Sequence, residues 1–239
     1  MQAELMFVSA GLGLVCANDH VPNYDLTVAS GQNSLAPVLN RLSLSSSDWW
    51  AALRAARKAQ NTIIELLVSC AVTKVFVALP SSYMEMIEGD LRACPPESAR
   101  KLRIFTSARG LAYVPEQLRP FVMPYDERLE GTEYAGTRSD FPQRALRHFV
   151  KELRAQRLSA AKAQQAVQHA LEPLVAPMLP ARTKATDEVI VALLRRHWKK
   201  HSGSSTRLLR VLRDELLIAC EQSRFRRLWH SIRDAQSAN

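Results

Sequence analysis

The chain has 239 residues, 47% of them hydrophobic and 23% charged, and a formal net charge of +9. This length and composition allow one substantial hydrophobic core together with a smaller second unit. Since no apolar run reaches the roughly 18 uncharged residues that a transmembrane helix needs, no membrane span is expected.

The first predicted strand, residues 4–9, leads directly into Ser9-Ala-Gly-Leu-Gly13. Because glycine has no side chain, Gly11 and Gly13 would let a ligand approach the backbone closely. Polar side chains then follow in quick succession: Cys16, Asn18, Asp19, His20, Tyr24, Asp25 and Thr27. Ligands of open α/β sheets bind beyond the carboxyl ends of the strands, so we expect a binding site here.

Four side chains of this segment have both a chemical and a structural interpretation. Cys16 is a candidate nucleophile, although a lone cysteine after a strand is often a small core residue. Asp19 is a candidate general acid or a carboxylate that caps a turn. Ser9 would orient a ligand or bond to the local backbone, and Tyr24 would contact a base or serve as a half-buried structural residue.

Further strands are predicted at residues 74–79 and 102–106, with a short one at 111–114. A cap at Ser46–Asp48 predicts a helix from Trp49 to about Cys70, and others are predicted from Ser81 or Ser82, over 140–157 and over 159–174. Strands that alternate with helices indicate an α/β fold, a mainly parallel sheet flanked by helices.

The segment from Tyr134 to His148 places Arg138 in a loop ahead of a helix that Ser139 or Asp140 would cap. Arg138 and the start of that helix would together hold a phosphate or a carboxylate of the substrate. The alternative is that Arg138 pairs with a neighbouring carboxylate and braces the loop.

Three prolines, at 173, 177 and 180, predict a linker at 176–185 between an α/β body, 1–175, and a small all-helical unit, 186–239. Three short helices are expected there, from 186 to 201, 207 to 218 and 224 to 234, in an arrangement similar to a helix-turn-helix. A core stripe would comprise Phe225, Leu228, Trp229 and Ile232.

Positive charge is concentrated in this last unit. Residues 182–239 carry thirteen Lys and Arg against six Asp and Glu, a net charge of +7. Basic surfaces of this kind attract polyanions, so DNA is the expected partner, with a merely solvated helical surface as the alternative. The expected contacts are made by Arg207, Arg210, Arg224, Arg226 and Arg227.

No metal site and no cofactor are expected. His197 and His201 are four residues apart, but Lys199 and Lys200 lie between them and no third ligand is evident. Gly11-Leu-Gly13 is only a fragment of a phosphate-binding loop, and no Gly-Lys-Ser or Gly-Lys-Thr occurs. Four widely spaced cysteines, and the absence of a basic segment before the first apolar run, predict a cytoplasmic protein.

Ser9-Ala-Gly-Leu-Gly-Leu14, Asp19 and Pro22-Asn-Tyr-Asp-Leu-Thr27 resemble the signature of the YaaA-like family, most closely over residues 1–30. The chain departs from it at Leu12, where an aromatic residue is usual, and at Asn23, which separates Pro22 from Tyr24. Some relatives of that family, the DpdC-type proteins, are encoded in bacterial gene clusters whose products insert 7-deazaguanine bases into DNA.

The resemblance implies an enzyme that converts 7-cyano-7-deazaguanine (preQ0) in DNA to its 7-amido form by nitrile hydration, with partner proteins from the same cluster. Cys16 would form a thioimidate, Asp19 would protonate the nitrogen, and Gly11, Gly13, Tyr24 and Arg138 would bind the base. The alternative is a non-catalytic DNA-binding or recruitment component of a DNA-modification or defence system.

Overall fold

A computed structural model of the chain describes residues 3–31, 33–57, 62–177 and 182–237. They divide into two compact units, Met1–Pro177 and Met178–Asn239. Of the predicted linker, residues 178–181 lie outside the described residues. None of the described helices is both long and apolar enough to cross a lipid bilayer.

The first unit begins with an antiparallel hairpin of β1 (Met6–Ser9) and β2 (Gly13–Cys16), in which Ser9 pairs with Gly13. Three residues, Ala10 to Leu12, form the turn, and Gly13 has a φ of 78°. A glycine at positive φ after a short turn is typical of three-residue hairpins, since this backbone conformation is strained for other residues. The turn and Gly13 therefore reverse the chain. The strand β2 that follows was not predicted from the sequence.

The parallel pair consists of β3 (Val75–Ala78) and β4 (Leu102–Phe105), with Val75 opposite Leu102 and Ala78 opposite Phe105. A single bridge between Ile104 and Val122 extends this pairing on the other side of β4. The fold is thus a mixture of α and β, but the mainly parallel sheet expected from the sequence is not present among the described residues, whose sheets have two strands each. β1 pairs with its own hairpin partner instead of with β3 or β4.

The helices of the first unit are mostly short and surround the strands. Their bounds are α1 Ala36–Arg41, α2 Ser46–Arg57, α3 Ile63–Val68, α4 Ser81–Met86, α5 Glu88–Arg92, α6 Pro96–Ala99, α7 Phe141–Lys151 and α8 Ala160–Leu171. Four 3-10 helices lie between them, at Gly110–Tyr113, Glu116–Phe121, Glu127–Gly131 and Ala155–Arg157.

Three sequence predictions in this unit are wrong. The helix expected from Trp49 to Cys70 is two helices, because Thr62 starts α3 with its own capping box: it accepts from the Glu65 amide at 3.1 Å, and its amide donates to the Glu65 carboxylate at 2.9 Å. The strand expected at 111–114 is the 3-10 helix Gly110–Tyr113. The long helix expected over 140–157 ends at Lys151, ahead of Arg154 with its φ of 47°.

The second unit contains α9 (Asp187–Trp198), α10 (Ser205–Arg210), a π-helical turn (Val211–Glu215) and α11 (Gln222–Ser237). Two-residue strands, β5 (Thr183–Lys184) and β6 (Ile218–Ala219), pair in parallel. The predicted stripe on α11 faces the core of this unit: Phe225, Leu228 and Ile232 are buried and Trp229 is half-buried.

Candidate functional site

The hairpin brings three of the predicted site residues together. The hydroxyl groups of Ser9 and Tyr24 are hydrogen-bonded to each other, and the Ser9 Oγ also accepts from the Leu12 amide at 3.0 Å. A Cβ on Gly11 would lie 3.1 Å from the Tyr24 ring. The group that approaches the Gly11 backbone is therefore a side chain of the same chain.

Cys16 and Asp19 lie together at the end of β2. The Cys16 amide donates to the Asp19 carboxylate at 2.7 Å, and the Cys16 thiol donates to Glu4 Oε1 at 3.5 Å. The hydrogen bond to Glu4 raises the pKa of the Cys16 thiol, with further contributions from burial and from the negative charge of Asp19. Because the thiolate is the nucleophilic form, these neighbours oppose the role expected for Cys16.

Two hydrogen bonds connect this N-terminal segment to the helices that follow. The Trp49 indole on α2 donates to the Ala10 carbonyl at 2.7 Å. The Thr27 hydroxyl lies 3.3 Å from the Tyr83 hydroxyl on α4, the helix that begins just after β3. The turn of the hairpin is therefore held on α2, and Thr27 is held near the helix at the carboxyl end of β3.

The loop that contains Arg138 is braced by Arg144. Its guanidinium donates to Asp140 and Glu130 at 2.8 Å each, to the Thr137 carbonyl at 2.6 Å and to the Tyr134 carbonyl. Arg138 itself is exposed and forms no ion pair with the residues described. Among the described residues, no hydrogen bond or ion pair joins Arg138 to Ser9 or Asp19.

Sequence reasoning missed a buried group of titratable side chains beside this loop. His148 is only 8% exposed, and its Nδ1 lies 2.8 Å from the Tyr125 hydroxyl. The Tyr134 hydroxyl donates to Glu152 Oε1 at 2.5 Å. Burial lowers the pKa of His148 and raises that of Tyr125.

A sequence signal for this burial exists. Phe141, Ala145 and Phe149 define the apolar stripe of α7 at intervals of four residues, and His148 lies on the same side of the helix.

In the second unit, two of the five arginines expected to contact DNA join two helices. Arg224 and Arg227 on α11 donate to the Asp187 carboxylate at the start of α9, at 2.7 and 2.8 Å. These hydrogen bonds lower the pKa of Asp187, with that from Arg227 contributing most. Their first role is therefore to fix α11 against α9.

The other three, Arg207, Arg210 and Arg226, are exposed. Four more exposed cations lie at the end of α9, and the sequence prediction did not include them: Arg195, Arg196, Lys199 and Lys200. None of these seven side chains forms an ion pair with a residue in the described part of the chain.

Two open grooves are lined by described residues of the second unit. One is a groove of about 670 Å³ along β5 and β6, and its lining comprises Arg182, Lys184, Ala185, Arg213, Ala219, Cys220, Glu221 and Arg224. The other, of about 410 Å³, is beside the π-helical turn and is lined by His201, Arg207, Arg210, Val211, Asp214 and Glu215. Both are rich in charged side chains.

The His197 and His201 rings lie with their centroids 6.3 Å apart. Across the described residues, no three His, Cys, Asp or Glu side chains come close enough together to hold a metal ion.

No protein-family model, curated protein or solved structure matches this chain. The resemblance to YaaA-like proteins therefore stays a prediction that rests on residues 1–30.

Proposed function

We propose that this protein binds nucleic acid through the helices of its second unit. The observation that carries the proposal is the set of seven exposed cations without ion-pair partners among the described residues: Arg195, Arg196, Lys199, Lys200, Arg207, Arg210 and Arg226. Cations of this kind can neutralise backbone phosphates and release the counterions condensed on the nucleic acid.

The distribution of charge favours this proposal over the alternative that the basic surface only keeps the protein in solution. Residues 182–239 have a net charge of +7, while the whole chain has +9. A surface that served only solubility would carry both signs interspersed. Concentrated positive charge attracts polyanions instead, and nucleic acid is the most abundant of these in a cell.

The test is the affinity of the full chain for a fluorescently labelled DNA duplex, measured by anisotropy at fixed salt. The triple variant Arg207→Ala/Arg210→Ala/Arg226→Ala should bind roughly 10- to 100-fold more weakly, because three phosphate contacts are removed. Its matched control is Arg41→Ala/Arg119→Ala/Arg157→Ala, which removes the same charge from exposed positions of the first unit. An equal loss in both variants would mean that binding follows net charge alone, and a wild-type chain that does not bind would refute the proposal.

A second proposal concerns the first unit: hydration of the nitrile of 7-cyano-7-deazaguanine in DNA to the amide. It is supported by the contact between Ser9, Gly11 and Tyr24, which places two hydroxyl groups and an aromatic ring in one small region. An aromatic ring and hydroxyl groups are suited to bind a base that has left the duplex stack.

In this scheme the Cys16 thiolate adds to the nitrile carbon while Asp19 protonates the nitrogen, which gives a thioimidate. Water then adds to the same carbon, and the thiolate leaves as the amide forms. The Glu4–Cys16 hydrogen bond opposes the first step in the free protein.

The experiment is mass spectrometry of nucleosides from preQ0-containing DNA incubated with the purified chain. A gain of one water on the modified nucleoside, lost in Asp19→Ala, would support hydration. DNA binding without any change of mass would favour the recruitment role.

A further inference from the structure

The groove along β5 and β6, called the β5–β6 groove below, has cations on several of its sides. Arg182 and Lys184 come from β5 and the residue before it, Arg213 from the π-helical turn and Arg224 from α11. Four separate stretches of the second unit thus contribute to its lining, with Glu221 as the acidic residue among them.

The three arginines of the groove are held in place by hydrogen bonds. Arg182 donates to the Arg213 carbonyl and to Asp214, both at 2.9 Å. Arg213 donates twice to the Cys220 carbonyl, at 3.0 and 2.7 Å. Arg224 donates to Asp187 at 2.7 Å and to the Ala185 carbonyl at 2.8 Å. Because these arginine side chains are already ordered, they would lose little conformational entropy when a ligand binds to their guanidinium groups.

Two of the four cations form no ion pair with a carboxylate in the described part of the chain. Asp214 pairs with Arg182, and Asp187 pairs with Arg224. Arg213 donates to the Cys220 backbone carbonyl, and neither Arg213 nor the exposed Lys184 forms an ion pair with a described residue.

Both of these cations line the groove beside β6. Lys184 is opposite Ala219 in the β5–β6 register, and the Arg213 guanidinium binds the carbonyl of the next residue, Cys220. A fixed guanidinium beside a flexible ammonium group provides both the fork geometry and the point charge that bind a phosphate.

We propose that the β5–β6 groove binds a phosphate group between Arg213 and Lys184. The proposal deepens the nucleic-acid function and rests on it for the source of the phosphate, a backbone phosphodiester of the bound strand. A free phosphate or pyrophosphate ion has the same chemistry and is distinguished in the test.

The first arm of the test measures affinity for a labelled DNA duplex at several salt concentrations. Lys184→Ala and Arg213→Gln should each lower the slope of log K against log salt by about one, because each removes one phosphate contact. Lys162→Ala, an exposed lysine of α8, is the matched control and should leave the slope unchanged. Should Arg213→Gln fail to fold, Lys184→Ala decides by itself, and an unchanged slope in it would overturn the proposal.

The second arm measures the thermal midpoint of the full chain with pyrophosphate and no DNA. It separates the two proposals. If the wild-type chain does not bind DNA, the nucleic-acid function fails, but stabilisation by pyrophosphate that Lys184→Ala abolishes would still support a phosphate site. A chain that binds neither DNA nor pyrophosphate would overturn both.

Discussion

At the scale of single residues, Asp90 is the centre of a buried polar group between α2 and α5. It is 1% exposed, accepts from the Trp50 indole at 2.9 Å and pairs with Arg54 at 2.8 Å. Asp90→Ala would leave Arg54 without its partner in a largely buried site. We expect a loss of about 3–5 kcal/mol in the free energy of unfolding, measured by urea titration with tryptophan fluorescence.

The neighbouring pair on α5, Glu88 and Arg92, supplies the control. Arg92 is mostly exposed, and the two residues are four apart on the helix surface. Glu88→Ala should therefore cost no more than about 0.5 kcal/mol. If Asp90→Ala and Glu88→Ala lowered the free energy of unfolding by similar amounts, burial would not explain the contribution of Asp90 to stability.

Cys16 gives a prediction about reactivity. Since the hydrogen bond to Glu4 is the main cause of its raised pKa, Glu4→Gln removes a negative charge and should lower that pKa. More thiolate would then be present at neutral pH, and iodoacetamide should alkylate Cys16 faster. Mass spectrometry of the Cys16 peptide measures the rate, with the exposed Cys70 as an internal reference. An alkylation rate unchanged from that of the wild-type chain would show that Glu4 does not hold the thiol.

The sequence predicted the chemical character of the basic unit but not the role of each arginine. In the sequence, nothing indicates that Arg224 and Arg227 pair with Asp187, because Asp187 is 37 and 40 residues away along the chain. Only the packing of α9 against α11 brings these charges together. Arg207, Arg210 and Arg226 have no such partner among the described residues, and for them the sequence and the structure agree on exposure.

At the scale of elements, the loop from Tyr134 to Asp140 depends on a helix residue. Arg144 on α7 holds four acceptors of the loop and of the preceding 3-10 helix. Arg144→Gln should release the loop and speed tryptic cleavage after the exposed Arg138. Electrophoresis and mass spectrometry of a limited digest measure the rate.

Arg147 on the same helix is the matched control for this digest. Its guanidinium lies 5.7 Å from the Tyr134 ring centroid and forms no ion pair with a described residue, so Arg147→Gln should leave cleavage after Arg138 nearly unchanged. If both variants are cleaved at the wild-type rate, Arg144 does not order the loop.

Prediction of elements succeeded where a strand or helix has its own apolar pattern. β1, β3 and β4 begin and end within about two residues of the predicted limits, as boundary uncertainty allows. β2 was missed because its four residues follow a glycine turn that was interpreted as a ligand-binding loop. The prediction of a parallel sheet was wrong because local periodicity carries no information about which strands pair. The turn at Ala10–Leu12 decides that β1 pairs with β2.

At the scale of the whole molecule, charge and core are divided in the same way. Residues 1–181 carry nineteen Lys and Arg against seventeen Asp and Glu, and the remainder of the chain carries most of the net charge. Among the described residues, the buried clusters of the first unit share no member with the cluster of the second. Each unit therefore has its own hydrophobic core, while most of the net positive charge belongs to the second unit.

This division predicts that a substitution within one unit destabilises that unit alone. Gly203 has a φ of 65°, and a Cβ there would lie 2.9 Å from the Trp198 indole. Gly203→Ala should cost the second unit at least about 1–2 kcal/mol, because the left-handed conformation is strained for alanine. Differential scanning calorimetry should show one transition lowered by Gly203→Ala and a different one lowered by Asp90→Ala. In the double variant both shifts should appear with their single-variant sizes, since substitutions in separately stabilised units without shared partners act additively. A single transition that both substitutions lower would show that the two units unfold as one.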